Sequence, residues 1–414
     1  MSNLTQNLKF KIQNSMNFPL PPLTENFVAP SLTLPWHEDI VALRRDFHAY
    51  PEIGFEETRT AAIVAARLRE LGLEVQEGIG GTGVVGVLRG KEDGPTVLVR
   101  ADMDALPILE DNDWQWKSGA LGKMHACGHD AHTATGLTVA RLLAQEKETL
   151  RGSVKFMFQP AEEGLGGARR MIEDGLLQEK PDYCLALHVW SDIEVGKIGL
   201  KSGPVMACAD KFMARIIGKG GHGASPHQTI DPIVIAAQII LALQTTISRN
   251  IRAMDAGVVT VGKVSAGSAF NIIPGEALLE GTVRAFDPTV RATLERRCRE
   301  IVEELPPVFG ARGEFEYIRE NPPTVNDETI TERLRPAFER VVGTENVIEF
   351  QPTMGAEDMS LVLQQVPGCY FFVGGRNEAI DAVYPHHHPK FNIDERALFI
   401  GAQAMTEAVK ELLQ

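Results

Sequence analysis

Apolar side chains recur every three or four positions over 36–49 (WHEDIVALRRDFHA) and again over 57–71 (ETRTAAIVAARLREL). That period predicts two helices, the second stopped by Gly72. The pattern then changes. VVGVLRG (84–90), TVLVRADM (96–103), SVKFMFQ (153–159), YCLALHV (183–189) and CYFFVGG (369–375) are short, nearly unbroken apolar runs that predict strands. Helices are expected at 130–146, near 167–177, at 328–342 and at 394–413. Strands alternating with helices point to parallel pairing in an α/β layer.

After about 203 the texture differs. KFMARIIGKG (211–220), GVVTVGKVSAG (257–267) and ALLEGTVRAF (277–286) alternate, with helices expected at 231–251 and 288–305 between them. This reads as a smaller α+β insert of roughly one hundred residues. The division is therefore 35–203 with 320–414 for the larger unit, and 204–319 for the insert. Residues 1–34 are polar and then proline-rich at Pro19, Pro21 and Pro22, without the apolar stretch of a secretory signal, and read as a flexible extension.

A chain of 414 residues with 44% hydrophobic and 23% charged residues is globular and long enough for two domains. Its net charge of −14 argues against nucleic-acid or anionic-membrane partners, which need a basic surface. No run of about eighteen apolar residues predicts a membrane span. Five cysteines (127, 184, 208, 298, 369) are too few and odd in number for a disulfide framework, so a cytoplasmic setting is expected.

Four stretches carry chemistry, and each falls at a predicted strand end or just before a helix, where ligand sites of open α/β sheets gather. The first is MHACGHDAH (124–132), with Cys127, His129 and Asp130 close together. Thiolate and imidazole suit zinc and similar divalent ions, although a helix start with a capping Asp has the same look. The second is Gln159-Pro-Ala-Glu162-Glu163-Gly. One carboxylate of such a pair can bind metal while the other takes a proton, but taken alone a solvated acidic turn explains it better. The third is His188, ending an apolar run, where a satisfied core histidine is the commoner case. The fourth is His386-His387-His388-Pro389, ahead of a strand-like KFNI. Together the four supply Cys, His and Glu donors, which a metal site accounts for better than chance.

These residues resemble the aminoacylase, hippurate-hydrolase and auxin-conjugate amidohydrolase group within the dinuclear zinc-peptidase fold. The resemblance runs from about 37 to 412 and rests on RRDFHAYPEIGFEE, RADMDALPI, MHACGHDAH, FQPAEEG, LHVW, GKGGHGASPH, FNIIP, GTVR, GAEDMS and HHHPKFNIDE, in that order. It implies a catalytic domain with a central, mostly parallel sheet and an inserted α+β, ferredoxin-like lid through which subunits dimerise or form higher homo-oligomers. It implies two divalent ions (zinc, manganese, nickel or cobalt) held by Cys127 as the bridging ligand, with His129, Glu163, His188 and His387. His387 is selected because the family histidine stands two before the proline. Glu162 matches the general base and Asp104 an aspartate that orients a ligand histidine, while Asp102 can be structural. His222 matches a lid histidine that reaches the substrate carbonyl from the neighbouring subunit. Asn271 and Arg284 match substrate-binding positions near its carboxylate, with a strand-edge salt bridge as the alternative for Arg284.

The implied activity is metal-dependent removal of an acyl group from a small-molecule N-acyl amino acid. A dipeptidase-like hydrolase uses the same pocket, and a non-catalytic metal-dependent protein binding amino-acid conjugates would need no base. Other signals fall away. Gly81-Thr-Gly83-Val-Val-Gly86 fits G-x-G-x-x-G, but no helix follows it to receive a pyrophosphate. Ser225 lacks a Gly-x-Ser-x-Gly elbow, and no HExxH helix is present.

Overall fold

The structure, a computed structural model, describes residues 36–414. The extension expected over 1–34 lies outside the described residues. Two helices lead, α1 (His37–Ala49) and α2 (Thr58–Glu70), and Gly72 leaves the second at φ +79°. Six strands of the large sheet follow: β1 (Glu74–Ile79), β2 (Gly83–Arg89), β3 (Glu92–Asp102), β4 (Arg151–Gln159), β5 (Tyr183–Glu194) and β6 (Ile198–Leu200). Helix α3 (His129–Gln145) intervenes after β3, and α4 (Gly167–Glu173) after β4. Beyond the insert come α7 (Glu328–Val342), β15 (Val347–Glu349), the short α8 (Ser360–Leu363), β16 (Gly368–Arg376) and α9 (Arg396–Leu413).

The eight strands run in the order β1-β2-β4-β3-β5-β16-β6-β15. Four neighbouring pairs are parallel (β3 with β4, β3 with β5, β5 with β16, β6 with β15), and three are antiparallel. The apolar runs are unbroken because both sheet faces are covered. Along β3, Val97, Val99 and Ala101 join one core cluster and Leu98 the other. Along β16, Cys369, Phe371 and Val373 face the first cluster, and Tyr370 and Phe372 the second. The first cluster is roofed by α1, α3, α7 and α9.

The expected fold class is therefore observed. Differences are local. The helix expected to 177 ends at Glu173, and β5 continues past His188 to Glu194. KFNI is not a strand: Phe391 and Ile393 alternate as buried anchors of a loop without a ladder partner. The G-x-G-x-x-G segment is the β1–β2 hairpin, with Gly83 and Gly86 inside β2.

From Ala209 to Asn321 a second sheet forms: β8 (Ala209–Ile217), β10 (Gly257–Ala266), β12 (Glu276–Ala285) and β13 (Arg312–Asn321), in the order β10-β12-β8-β13 and wholly antiparallel. Helices α5 (Pro232–Asn250) and α6 (Pro288–Glu304) complete a β-α-β-β-α-β order, the ferredoxin-like arrangement. Its own cluster (Phe212, Ala214, Ile216, Ile239, Leu294 among others) explains the alternation: one face of the sheet meets the helices. Among the described residues α5 alone is long and apolar enough to cross a membrane; a third of it is buried, with Ile235, Ile239 and Leu243 packed on the sheet.

The two crossings between the sheets run side by side. β7 (Gly203–Met206) pairs antiparallel with β14 (Thr324–Asn326). Just beyond, Asp210 accepts from Arg291 Nε of α6 at 2.7 Å and from the Tyr317 hydroxyl of β13 at 2.6 Å. A short two-stranded antiparallel sheet, β9 (Gly221–His222) with β11 (Ile272–Ile273), forms apart from the smaller sheet.

Candidate metal centre

The site forms where β3, β4 and β5 deliver their carboxyl ends beside the start of α3. Gly128 precedes α3 at φ +95°, and a Cβ there would lie 2.4 Å from Val189 Cγ2. Only glycine allows this approach, which sets Cys127 and His129 against His188. After β4 the chain turns at Ala161 (φ +52°), whose N–H donates to Glu57 Oε1 at 2.8 Å. His387 has φ +66°, with its N–H on Ala126 O at 2.8 Å. Two non-glycine residues in the left-handed region thus flank one site, where stored backbone strain commonly concentrates.

Donor atoms converge. Those of Cys127, His129 and His188 lie within 4.8 Å of one another, as do those of Cys127, Glu163 and His387. The Cys127 thiol is common to both groups, the arrangement a bridging ligand requires. His188 Nε2 is 3.6 Å from Cys127 Sγ, and His387 Nε2 is 3.2 Å from Glu163 Oε1. Glu162 joins His129 and Glu163 in a third group and Glu357 and Asp358 in a fourth, so the adjacent glutamates face different neighbours. His129 and His188 are buried, Cys127, Glu162 and Glu163 partly so, and His387 is exposed. The cage therefore opens to solvent on its carboxylate side.

The grouped imidazole rings are held from behind. His129 Nδ1 donates to Asp104 Oδ1 at 3.2 Å, while Asp104 Oδ2 accepts the Glu163 N–H at 3.0 Å. His188 Nδ1 donates to the Val189 carbonyl at 2.6 Å, which turns Nε2 toward the thiol. His132 spends both nitrogens: Nδ1 donates to Asp102 Oδ1 at 2.6 Å, and Nε2 accepts the Val189 N–H at 2.9 Å. It is therefore a buttress. Such outer partners fix tautomer and ring orientation at metal sites.

The residues fit a cation. His129 Nε2 is buried without a hydrogen-bond partner and faces the thiol and Glu163. Burial opposes charge on His129, but Asp102 and Asp104 outweigh it and push its pKa up to about 10. Burial, then Glu163, Glu162 and Asp102, raise the Cys127 thiol well above its ordinary value. Burial, reinforced by Glu357, Glu163 and Asp358, likewise raises Glu162, with Arg100 opposing. This excess of carboxylates is what bound cations would relieve.

Sequence reasoning missed the floor of the site. Arg100, fully buried, donates to Gln159 at 2.9 Å, to Asp102 Oδ2 at 2.6 Å and to Glu357 Oε1 at 2.7 Å. The Tyr370 hydroxyl donates to Glu357 Oε2 at 2.6 Å. The available signal was the paired acid of GAEDMS, given no role in the sequence, whereas in RADMDALPI Asp104 was expected to orient a histidine and Asp102 to be structural. Asp102 is structural in a specific sense: it couples Arg100 to His132.

A second buried network anchors α3 from the other side. Arg44 Nε and His48 Nδ1 of α1 donate to Asp130 Oδ2 at 2.9 and 2.8 Å, and His48 Nε2 lies 3.3 Å from Glu110. Burial lowers the His48 pKa and Arg44 opposes its charge, but the bonds to Asp130 and Glu110 prevail and hold it above 6.5. A raised folded-state pKa contributes stability that is complete below the unfolded value and is lost as pH rises through the folded one. His48→Asn is thus expected to lower the melting temperature most near pH 6 and progressively less toward pH 9. Thermal melts across that range check this; a gap independent of pH contradicts it.

The structure does not bring the smaller unit's candidates to the cage. His222 and Asn271 are exposed and lie close to each other at the β9–β11 pair, where Gly223 N–H donates to Asn271 O at 2.9 Å. No hydrogen bond or ion pair links either to a cage residue among the described residues. Arg284 on β12 bonds Thr282 and the Val283 carbonyl and has no carboxylate partner among the described residues, so the alternative salt bridge is not formed there.

Comparison with known proteins places this geometry. Residues 98–411 match Peptidase family M20/M25/M40. The chain belongs to that family. The M20 chain is 42% identical over 369 residues to Thermostable carboxypeptidase 1 of Saccharolobus solfataricus, covering 88% of this chain and 93% of that one. It is 41% identical over 367 residues to IAA-amino acid hydrolase ILR1-like 4 of Arabidopsis thaliana, covering 88% and 83%. Among solved structures, the YXEP protein of Bacillus subtilis, described as a dinuclear metal binding peptidase from the M20 family, superposes with TM-score 0.80 at 35% identity, covering 91% and 98%. This M20 member is a metal-dependent, amide-hydrolysing enzyme.

Proposed function

We propose that the chain removes the acyl group from N-acyl amino acids, with Glu162 as general base. The observation that carries this is the placing of the Glu162-Glu163 pair: both share a donor group with His129, but only Glu163 also groups with Cys127 and His387, and only Glu162 with Glu357 and Asp358. Cys127, His129, Glu163, His188 and His387 would hold two divalent cations, which supply Lewis acidity toward water and the amide carbonyl. Glu162 takes the proton of the attacking water and returns it to the leaving amine. Asp104 keeps His129 turned inward through its 3.2 Å bond. The names of relatives support an amide built on an amino acid: beside the carboxypeptidase and the IAA-amino acid hydrolase stands an N-acetyl-L-cysteine deacetylase of Bacillus subtilis, 40% identical over 376 residues.

His222, Asn271 and Arg284 are assigned to the substrate, with His222 delivered to the cage by a partner subunit. Supporting this, Ile233, Val234 and Leu241 of α5 are exposed, as are Phe270 and Ile272 beside Asn271, and β10 is an unpaired sheet edge. Several exposed large apolar residues together with an open sheet edge suit a second copy. A cytoplasmic setting accords with five free cysteines, and subcellular fractionation would check it.

The test is amine release over a panel of N-acyl amino acids and free dipeptides, before and after chelation, with sedimentation of the same preparation. Faster turnover of N-acyl amino acids by a dimer supports the reading. A preference for dipeptides, or tight binding without amine release, refutes the acylase assignment, and a monomer refutes the shared site.

A further inference from the structure

The histidine beside the assigned ligand has no role in the reading above, yet its surroundings are specific. His386 Nε2 accepts the backbone N–H of Ser191 at 3.3 Å. A neutral imidazole that accepts at one nitrogen carries its proton on the other. That other nitrogen, Nδ1, lies 3.9 Å from Cys127 Sγ. The ring is fixed between Trp190 (centroids 4.8 Å apart) and Phe391 (4.9 Å), and stands nearly perpendicular to His188 (83°). It belongs to none of the donor groups of the cage. The third histidine of the run, His388, is turned away, stacked on Tyr384 with Nδ1 accepting the Lys390 N–H at 3.0 Å.

We propose that His386 is a positioning residue whose Nδ1–H donates to the Cys127 sulfur and so tunes how strongly that sulfur gives charge to the ions it bridges. The inference rests on the reading of Cys127 as a metal ligand. A thiolate that accepts a hydrogen bond is a weaker electron donor, and its metals remain stronger Lewis acids toward the amide carbonyl. The same bond fixes the sulfur between His188 on one side and Glu163 with His387 on the other. The Ser191 amide serves here as a tautomer lock: it is a backbone group of β5, the strand that carries His188, so one strand sets both rings.

The experiment loads wild type, His386→Leu and His386→Asn with cobalt(II) and reads metal stoichiometry, the sulfur-to-cobalt charge-transfer absorption, kcat and KM. Leucine fills the space without a donor, and asparagine returns an N–H near the place of Nδ1. In the leucine variant two cobalt ions stay bound and the band moves to lower energy. Its kcat falls about tenfold at little-changed KM, within the range of outer-shell losses. Asparagine restores both. An unmoved band and kcat in the leucine variant overturn the proposal, and so does loss of one cobalt, which would make His386 a ligand. A wild-type protein that binds cobalt without any sulfur band refutes Cys127 as ligand, and the inference with it. Nitrogen-15 spectra of the metal-free wild type give a reading independent of variant folding: the Nδ1-protonated tautomer is expected, and the Nε2-protonated one refutes the proposal.

Discussion

Glu162→Gln is expected to lower kcat by about 10²–10⁴-fold, the usual contribution of a positioned acid–base group, while both metal ions stay bound. The substitution keeps side-chain volume and hydrogen-bonding reach and removes the ability to take a proton. Glu163, whose donor atom groups with Cys127 and His387, is untouched, so metal content should not change. KM should move little, because the lost interaction belongs to the transition state. Amine-release kinetics together with elemental analysis of the purified variant check this. Turnover within threefold of wild type, with metal retained, would remove Glu162 from the chemistry.

The second large effect concerns the sulfur. Cys127→Ala should lose at least one metal ion and reduce kcat by more than the roughly 10–100-fold typical of outer-shell changes, since it deletes a ligand common to both donor groups. Chelation of wild type should reproduce the loss reversibly, and the variant should not recover on adding metal back. Binding must also displace protons, because burial and nearby carboxylates keep the Cys127 thiol protonated and Asp102 and Asp104 keep His129 protonated up to about pH 10. Apparent metal affinity should therefore fall as pH falls, by up to about tenfold per unit for each proton displaced. Titration calorimetry in buffers of different ionisation enthalpy reads the released protons directly. Two ions bound with full activity in Cys127→Ala would discard the bridging assignment.

How much of this was legible in the sequence depends on the distance over which a residue acts. Helices α1, α2, α5, α6, α7 and α9 follow from local periodicity, and the central strands from unbroken apolar runs that only a doubly covered sheet tolerates. The strand β13 was not visible, since GEFEYIREN mixes charges with a single buried aromatic, Phe315, which joins the helix-covered core while the opposite face stays largely open. That Cys127, His129, Glu163 and His188 come together was legible because their residue types are those a metal selects and each sits where an α/β sheet presents ligands. Arg100, Glu357 and Asp358 were not: Arg100 meets Glu357 across 257 positions, and nothing local distinguishes a buried ion pair from a solvated one. His386 and His387 illustrate the same limit. Adjacent and identical in chemistry, they are separated by a backbone turn at His387 with positive φ, which sequence does not announce.

The paired crossings between the two sheets have a mechanical consequence. Because β7 and β14 are paired, these crossings are expected to act as a flat strap rather than a pair of loose strings, one that bends across its width more easily than it twists. A nodding of the smaller sheet relative to the larger one is the motion such a pairing would favour. Small-angle scattering with and without a non-hydrolysable amide should read such nodding as a change in radius of gyration.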